Sequence, residues 1–310
     1  MPKIYRVAII GAGKMAENHI DVFKSFKQII LVSIFSRKKE NAYKLAKKYS
    51  IPKATCNLDE ILNDKLDGVL ICVRANIMFS IIQKVIIYKI PMLIEKPIGL
   101  SMNEAKKLSK LYKKYNTPNL IGLNRRYYST FLQAYKYIQT PDYRGFLIEG
   151  HECSWRLKKI VDKKLLSSWI YANSIHTINL INLFGRSKKF ISKIYKSNIK
   201  LDVNISATLK FEDQIIGTYI SNWMSSDRWS IKLFFKEYII VFKPLENAYI
   251  KYKNNKIKYI PLSKEDCKYK PGLYLQTKNF IKLMKSKKNS WPDENLDTIL
   301  DTYYLISKMN

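Results

Sequence analysis

The sequence has few residues of the kinds that bind metals or cross-link a chain. It contains four cysteines and three histidines among 310 residues, and no two cysteines stand at the short spacing of a zinc site. The cysteines are therefore expected to be reduced thiols in a cytoplasmic protein, with Cys72, inside an apolar run, as a small core residue. No bound metal is expected.

Arginine is also scarce, although the chain is strongly basic. Only nine of the 55 basic residues are arginine, and the formal net charge is +30. Arginine is the better residue for recognising phosphates and base edges, and the lysines are spread along the chain rather than gathered into one block. We therefore do not expect nucleic acid as a partner, and we attribute the excess of lysine to A/T-rich codons. A positive surface can still attract anionic substrates such as nucleotides.

Long uninterrupted hydrophobic runs are missing as well. The most apolar stretch, residues 77–94, contains Gln83, Lys84, Lys89 and Pro91, so no membrane span is expected. Apolar residues make up 47% of the chain, which is enough for a buried core. The length is typical of two domains.

Residues 1–122 are predicted to form a dinucleotide-binding Rossmann domain. Apolar runs alternate with helical patterns and predict five strands, at residues 4–10, 29–35, 67–73, 91–94 and 119–122. This alternation is typical of an α/β fold with a doubly wound parallel sheet, which binds ligands at the carboxyl ends of its strands.

Residues 123–310 are predicted to form an α+β domain with a large open-faced, mostly antiparallel sheet. Strand-like runs occupy residues 146–155, 199–209, 214–223, 229–235 and 238–242. Helical patterns occupy residues 128–138, 165–184, 274–284 and 293–307. The final helix is a candidate to pack back on the first domain.

A glycine turn follows the first predicted strand. Gly11 permits the tight turn, Gly13 lets the backbone approach a phosphate, and Ala16 lets the following helix pack closely on the strand. Lys14 and Met15 begin that helix, whose N-terminus attracts a pyrophosphate. The pattern predicts that these residues bind a dinucleotide cofactor.

The residues after the second predicted strand bear on the choice of cofactor. A carboxylate at this tip would accept a hydrogen bond from the ribose of NAD. The chain instead has Ser36 and Arg37 there, followed by two lysines. A hydroxyl and several cations suit a 2′-phosphate, so NADP is favoured over NAD. The alternative is a solvated, lysine-rich start of a helix.

Glu95-Lys96-Pro97 ends the fourth predicted strand, where a nicotinamide ring would lie. Lys96 is the first catalytic candidate, because its ammonium can hydrogen-bond a substrate hydroxyl and lower the pKa of that hydroxyl. Glu95 is expected to orient the strand or the cofactor. The alternative for Lys96 is an ordinary surface lysine.

His176 is the second catalytic candidate, since histidine exchanges protons readily near neutral pH. Of the other two histidines, His19 lies behind the glycine turn and is interpreted as structural. His151 lies in a strand-like run with no supporting residues nearby. A satisfied core histidine is the alternative for His176.

Four motifs together carry a family resemblance. They are the glycine turn with His19, Glu95-Lys96-Pro97-Ile98, Asn124-Arg125-Arg126-Tyr127 and the segment around His176. With them the chain resembles the glucose–fructose oxidoreductase, inositol dehydrogenase and rhizopine-catabolism (Gfo/Idh/MocA) family over essentially its whole length. The resemblance implies a nucleotide-binding domain, then a substrate-binding domain that forms homodimers or homotetramers through its sheet.

The resemblance also implies the remaining site residues. Val73 and Arg74, after the third strand, are expected at the cofactor. The expected substrate-binding residues are Arg126, Tyr127, Arg156, Asn173 and His176, with Arg126 or Arg156 on a substrate phosphate. Structural surface arginines are the alternative.

The chain departs from the family's sugar-alcohol dehydrogenases at three positions. Ala172 stands where an aspartate usually completes a triad with the histidine, and Asn179 replaces a common aspartate. Arg74 stands where a Thr-Pro pair is usual. The full triad is therefore not expected, and the Asn-Arg-Arg-Tyr element looks more like members that act on nucleotide-linked sugars in surface-polysaccharide synthesis.

The leading hypothesis is an NAD(P)-dependent oxidoreductase that transfers a hydride between nicotinamide and a hydroxyl or keto carbon of a sugar or nucleotide-linked sugar. Lys96 or His176 would exchange the hydroxyl proton. Two alternatives stay open. One is an imine or enone reductase of the biliverdin-reductase kind, and the other is a non-catalytic nucleotide-binding regulator, motivated by Ala172.

Overall fold

The chain divides into two compact units. The computed structural model describes residues 3–157, 168–185, 190–199 and 202–310. The first unit comprises residues 1–124 together with 268–300, and the second comprises residues 125–267 together with 301–310. The sequence patterns predict residues 268–300 as part of the second domain, whereas the structure groups them with the first unit.

Fourteen strands are present among the described residues. They are Tyr5–Ile10 (β1), Ile29–Phe35 (β2), Lys53–Thr55 (β3), Gly68–Ile71 (β4), Met92–Glu95 (β5), Asn119–Gly122 (β6), Tyr143–Glu149 (β7), Phe190–Ile199 (β8), Asp202–Phe211 (β9), Ile216–Asn222 (β10), Ser230–Phe235 (β11), Tyr238–Phe242 (β12), Ala248–Tyr252 (β13) and Ile257–Ile260 (β14).

The α-helices of the described residues are Lys14–Phe23 (α1), Lys39–Tyr49 (α2), Asp59–Leu62 (α3), Ala75–Val85 (α4), Met102–Tyr115 (α5), Ser129–Ile138 (α6), Ser154–Leu157 (α7), Ile175–Phe184 (α8), Lys264–Lys268 (α9), Leu273–Ser286 (α10) and Leu300–Met309 (α11). Short 3₁₀ turns span Ile86–Tyr88 and Asn124–Tyr127, and a π-helical turn spans Ile170–Ser174.

The first unit is built on a six-stranded parallel sheet. Its strands lie in the order β3–β2–β1–β4–β5–β6. The direction of strand progression reverses between β1 and β4, and ligands of doubly wound folds bind in the crevice at such a point. The predicted parallel doubly wound sheet is confirmed.

One strand of this sheet was not predicted. β3 spans only three residues and pairs with the end of β2, Phe35 standing opposite Thr55. A three-residue strand is too short to show the apolar run by which buried strands are recognised in a sequence.

The late helix α10 belongs to the first unit because its apolar face completes the core of that unit. Phe280, Leu283 and Met284 are buried there with residues of β1 and α1. The helical period of this face is visible in the sequence, but the period alone does not tell which of two cores the face covers. The last helix, α11, belongs almost entirely to the second unit.

The second unit is built on an eight-stranded sheet in the order β14–β13–β12–β11–β7–β10–β9–β8. All neighbours pair antiparallel except β7 and β10, which pair parallel. The helix α8 contacts β7 and β10, and its apolar residues are buried all round. The predicted mostly antiparallel sheet is confirmed.

The predicted strand at residues 146–155 and the predicted helix at 165–184 differ in detail from the structure. After β7 the chain stays extended beside the end of β10, where the Glu152 amide donates to the Asn222 carbonyl at 3.0 Å, and then turns into α7. Residues 165–167 lie outside the described residues. The rest of the predicted helix contains the π-helical turn before α8, a widened turn that the sequence pattern did not indicate.

In the part of the chain that the structure describes, no helix combines the length and apolarity needed to cross a membrane.

Candidate functional site

The glycine turn brings the end of β1 against the chain that leaves β4. Gly11 has a φ of +121°, and a Cβ at this position would lie 2.1 Å from the carbonyl oxygen of Cys72. The close approach therefore requires glycine. Gly13 has a φ of −96° and caps α1, and no described atom lies within 4 Å of the place for its Cβ. Its bare backbone faces open space at a helix N-terminus, where phosphates bind in folds of this type.

A cleft of about 740 Å³ opens beside this turn. Its lining includes most of the predicted cofactor residues, namely Gly11, Gly13, Met15, Ser36, Arg37, Val73 and Arg74. Ala12, Phe35, Lys38, Asn41, Cys72 and Ile77 complete it. The structure thus brings the glycine turn, the tip of β2 and the segment after β4 onto one surface, of the size of a small-molecule site.

The tip of β2 gives this cleft a positive end. The described residues that line it there are Ser36, Arg37, Lys38 and Asn41, and none of them is a carboxylate. Arg37 and Lys38 are exposed, while Ser36 is half-buried. A hydroxyl beside two cations can bind a phosphate group.

Two predicted cofactor residues, Lys14 and Ala16, lie beside the cleft rather than on its surface. The Lys14 ammonium is exposed and lies 2.9 Å from Glu17 Oε2 in the first turn of α1. Ala16 is fully buried in the core of the first unit, where its small side chain allows α1 to approach the sheet.

Glu95, at the end of β5, forms a buried hydrogen bond with His19. The Oε1 atom of Glu95 lies 2.7 Å from Nε2 of His19, and both side chains are buried. Burial by itself raises the pKa of Glu95, but the His19 hydrogen bond and the charges of His19, Lys96 and Lys270 outweigh it, so the pKa of Glu95 falls below its ordinary value. The sequence patterns predict a structural role for His19, and they do not predict its contact with Glu95.

Lys96 follows Glu95 directly and is half-buried. Its positive charge is one of those that lower the pKa of Glu95, so the ammonium and the buried carboxylate interact. A second lysine was missed by sequence reasoning: the exposed Lys270 places its Nζ 3.0 Å from Met15 Sδ, at the glycine-turn cleft. Its position next to Pro271-Gly272, just before α10, is the sequence signal that could have singled it out.

The second unit has a cleft of its own, of about 700 Å³. Its lining includes two of the predicted substrate residues, Arg156 and Asn173. The other described residues that line it are Arg125, His151, Glu152, Cys153, Trp169, Arg228, Trp229, Pro244, Leu245 and Glu246. We call this the basic cleft.

Glu152 is the buried carboxyl group of the basic cleft. Asn173 Nδ2 donates to both of its oxygens, at 3.0 and 3.2 Å, and Ser174 Oγ donates to Oε1 at 3.1 Å. Burial raises the pKa of Glu152 above its ordinary value, and these hydrogen bonds oppose that rise only in part. No local sequence pattern singles out Glu152, because its hydrogen-bond donors lie about 20 residues further on, in the π-helical turn.

Arg126 and Tyr127, two predicted substrate residues, are buried inside the second unit. Arg126 Nη1 donates to Asn179 Oδ1 at 2.9 Å, and Asn179 Nδ2 donates to Thr302 Oγ1 at 2.8 Å. The structure therefore places Arg126 in an internal hydrogen-bonded chain, neither at the surface nor in the lining of the basic cleft. The neighbouring Arg125, from the same motif, lines the basic cleft instead.

The Trp229 ring lies close to both Arg125 and His176. The Arg125 guanidinium lies 4.5 Å from the centroid of the Trp229 ring, and the His176 ring lies 6.1 Å from it on a tilted plane. His176 itself is buried, near the start of α8. It thus lies behind a wall of the basic cleft rather than among its lining residues.

Comparison with known proteins gives a family match within the first 122 residues. Residues 5–122 match the model of an oxidoreductase family with an NAD-binding Rossmann fold. A curated relative, the 4-carboxy-2-hydroxymuconate-6-semialdehyde dehydrogenase of a Sphingobium strain, is 24% identical and spans 98% of this chain and 97% of its own.

Solved structures share the fold of the whole chain. A dehydrogenase from Chromobacterium violaceum superposes with a TM-score of 0.86 at 16% identity, covering 99% of this chain and 95% of its own. A UDP-N-acetylglucosamine 3-dehydrogenase from Acidithiobacillus ferrooxidans superposes with a TM-score of 0.76 at 16% identity, covering 99% and 96%. At such identities these likenesses establish the architecture.

The two glycines of the turn should respond differently to alanine. Gly11→Ala should lower the free energy of unfolding by about 2 kcal/mol or more, because a Cβ would clash with the Cys72 carbonyl at positive φ. Gly13→Ala should keep that free energy within about 1 kcal/mol of wild type but weaken NADH or NADPH binding at least about tenfold, since its methyl group would occupy the place of a phosphate. Denaturant unfolding and cofactor fluorescence titration measure the two effects. Unchanged cofactor affinity in Gly13→Ala would contradict the prediction that a cofactor phosphate binds at this turn.

The Glu95–His19 pair should make stability depend on pH in the acid range. A carboxyl whose pKa is lowered by folding stabilises the protein above its unfolded pKa, near 4.5, and loses that contribution as the pH falls through the folded pKa. Glu95→Gln should therefore cost about 1–3 kcal/mol at neutral pH, and the difference from wild type should shrink below the unfolded pKa. Denaturant unfolding across pH measures it. The Glu40→Gln variant, at an exposed position of α2, is the control and should change stability less; a Glu95→Gln cost that is constant with pH would contradict the lowered pKa of Glu95.

Proposed function

Through residues 5–122 the chain belongs to the Gfo/Idh/MocA oxidoreductase family, with its NAD-binding Rossmann fold, and from this premise we propose an NAD(P)-dependent oxidoreductase of sugars or nucleotide-linked sugars. The reaction is hydride transfer between nicotinamide and a hydroxyl or keto carbon. The observation that carries the proposal is the glycine-turn cleft, where a bare helix N-terminus and the tip of β2 share one surface.

The residues of this cleft fit a nicotinamide dinucleotide. The open space at Gly13 leaves room for a phosphate against the backbone, and the N-terminus of α1 carries the partial positive charge that a pyrophosphate needs. Val73 and Arg74 line the same cleft after β4, so they are available to the rest of the cofactor. The proposed cofactor residues that line this cleft thus lie on one surface.

We propose NADP as the preferred form of the cofactor. Support comes from Ser36 and Arg37 at the tip of β2, with Lys38 as a further cation in the lining. A 2′-phosphate would meet one hydroxyl and two positive charges, whereas the 2′-hydroxyl of NAD would lack a carboxylate partner among the described lining residues.

Replacing Arg37 tests this preference. Arg37→Gln should weaken NADPH binding at least about tenfold, the usual worth of a charge-assisted hydrogen bond, and should leave NADH binding within about twofold. Lys39→Gln is the matched control: it removes one cation two residues further along, from an exposed position. Fluorescence titration gives both affinities. A wild-type protein that binds NADH as tightly as NADPH would overturn the NADP preference and leave the proposed enzyme standing.

In the proposed reaction Lys96 handles the proton of the substrate hydroxyl. The bound cofactor supplies or accepts the hydride. Lys96 Nζ donates a hydrogen bond to the substrate oxygen, takes up or releases the proton, and stabilises negative charge on that oxygen. The Glu95–His19 pair fixes the backbone from which Lys96 starts. His176 is the second candidate for this proton.

The name of one similar protein, the Acidithiobacillus structure, supports the proposed substrate class, and the name of a second bears only on the charge of the substrate. The Sphingobium relative is named for a carboxylated substrate, and the Acidithiobacillus structure for a nucleotide-linked sugar. Both substrates are hydroxylated molecules that carry an anionic group.

We further propose that copies of the chain associate through the eight-stranded sheet, because alternate residues of β9 are buried and the others point outward.

Lys96→Met should separate chemistry from cofactor binding. We expect turnover to fall at least about a hundredfold, because the proton donor is lost, while NADPH affinity stays within about threefold. Oxidation of NADPH by a panel of keto-sugars and nucleotide-linked keto-sugars measures turnover. Lys84→Met, at an exposed position of α4, is the control. Wild-type turnover in Lys96→Met would exclude this lysine, and a wild-type protein that binds neither dinucleotide would overturn the proposed function.

A further inference from the structure

The arginines of this chain are not distributed like its lysines. The sequence has nine arginines and 46 lysines. Three of the nine, Arg125, Arg156 and Arg228, line the basic cleft, and none of the described residues that line it is a lysine. In a chain whose composition favours lysine so strongly, this concentration marks a place where a guanidinium group is needed.

A guanidinium group differs from an ammonium in the ligands it selects. It presents several N–H donors in a rigid plane that matches two oxygens of a phosphate or carboxylate, and its charge cannot be removed by deprotonation. Arg125 is also held in place, because its guanidinium lies 4.5 Å from the centroid of the Trp229 ring. The cleft therefore has a cationic wall suited to an oxyanion, in which Arg125 is held in place and Arg156 and Arg228 are exposed.

The carboxyl groups of the basic cleft do not cancel this charge. Two of the lining residues are glutamates, against three arginines. Glu246 accepts a hydrogen bond from the Tyr128 hydroxyl at 3.0 Å, and Glu152 is buried with its donors in the π-helical turn. The wall retains a positive surplus.

Glu152 adds a different kind of contact. Its side chain is only 7% exposed, yet Glu152 is among the residues that line the cleft. Asn173 and Ser174 fix the orientation of its carboxyl group through three hydrogen bonds. A carboxyl oxygen held in this way accepts a hydrogen bond from a ligand hydroxyl with little loss of side-chain entropy.

We propose that the basic cleft binds a hydroxylated oxyanion, with Arg125, Arg156 and Arg228 on the anionic group and Glu152 on a hydroxyl. The inference deepens the proposed function and rests on it for one step, which is that the ligand is the substrate. The substrate is then a sugar derivative that carries a phosphate or a carboxylate, rather than a neutral sugar or polyol. The cation–π contact of Arg125 makes Trp229 part of the same surface.

Calorimetric titration with four related compounds tests the cleft. The probes are glucose 1-phosphate, glucuronate, UDP-glucose and glucose, which share hydroxyl groups and differ in their anionic group. We expect at least one anionic probe to bind at least about tenfold more tightly than glucose, and added salt to weaken that binding. The comparison of glucuronate with the two phosphates identifies the anionic group. Glucose binding as tightly as the anions would overturn the inference.

Two variants assign the contacts. Arg228→Gln should weaken the anionic probe at least about tenfold, whereas Arg144→Gln, at an exposed position of β7 outside the cleft, should leave it unchanged. Glu152→Gln should weaken the hydroxylated anion but not inorganic phosphate, a difference that a merely structural role would not produce. If Arg228→Gln and Arg144→Gln weaken binding of the anionic probe equally, the anion does not bind in this cleft. If Glu152→Gln weakens the hydroxylated anion and inorganic phosphate equally, Glu152 does not contact a ligand hydroxyl.

A cofactor titration on the same preparation separates the two proposals. Protein that binds NADPH or NADH but does not prefer the anionic probes contradicts the basic cleft and leaves the oxidoreductase in place. Protein that binds anions in the cleft but neither dinucleotide contradicts the proposed function, and leaves the cleft as an anion site without the role of a substrate site.

Discussion

The close contact of backbone with backbone at Gly11 is the constraint on which the glycine-turn cleft depends. The Gly11 amide donates to the Phe35 carbonyl at 2.8 Å, and the Cys72 amide donates to the Ile10 carbonyl at 2.8 Å. These two bonds tie the ends of β1, β2 and β4 together with no side chain between them. Residues that are distant in the sequence, such as Arg37 and Arg74, share one surface only because the turn is this tight. The cleft is thus a product of backbone geometry, on which side chains then act.

Features that the backbone dictates were predictable from the sequence. Apolar runs alternating with helical patterns indicated the parallel sheet, because a strand buried on both faces must be apolar throughout. The glycine turn was predictable for the same kind of reason, since only glycine tolerates the conformation at position 11. The short strand β3 was not, because three residues show no period. The placement of α10 in the first unit was not predictable, because an apolar helix face does not show which core it packs against.

Side-chain partnerships across long sequence separations were beyond the sequence. His19 and Glu95 are 76 positions apart, and nothing local to either residue indicates the other. The choice between Arg125 and Arg126 shows the same limit on a finer scale. Both belong to one motif, yet in the 3₁₀ turn the first faces the basic cleft and the second donates to Asn179 inside the fold. Consecutive residues of the turn point to different sides, so one arginine is a candidate ligand contact and the other is structural. A single sequence does not determine which side each residue faces.

The carboxyl group of Glu152 changes what the alanine at position 172 means. Ala172 suggested that the chain lacks an acid near His176, and this absence was the motive for considering a non-catalytic regulator. The structure places the Glu152 carboxyl on Asn173 and Ser174, the two residues that follow Ala172. The extended chain after β7 carries it there, bonded through the Glu152 amide to the end of β10. An acid is therefore present at this turn, supplied by a different segment. Because chemistry depends on position in space and not on position in the chain, the alanine by itself is no argument against catalysis.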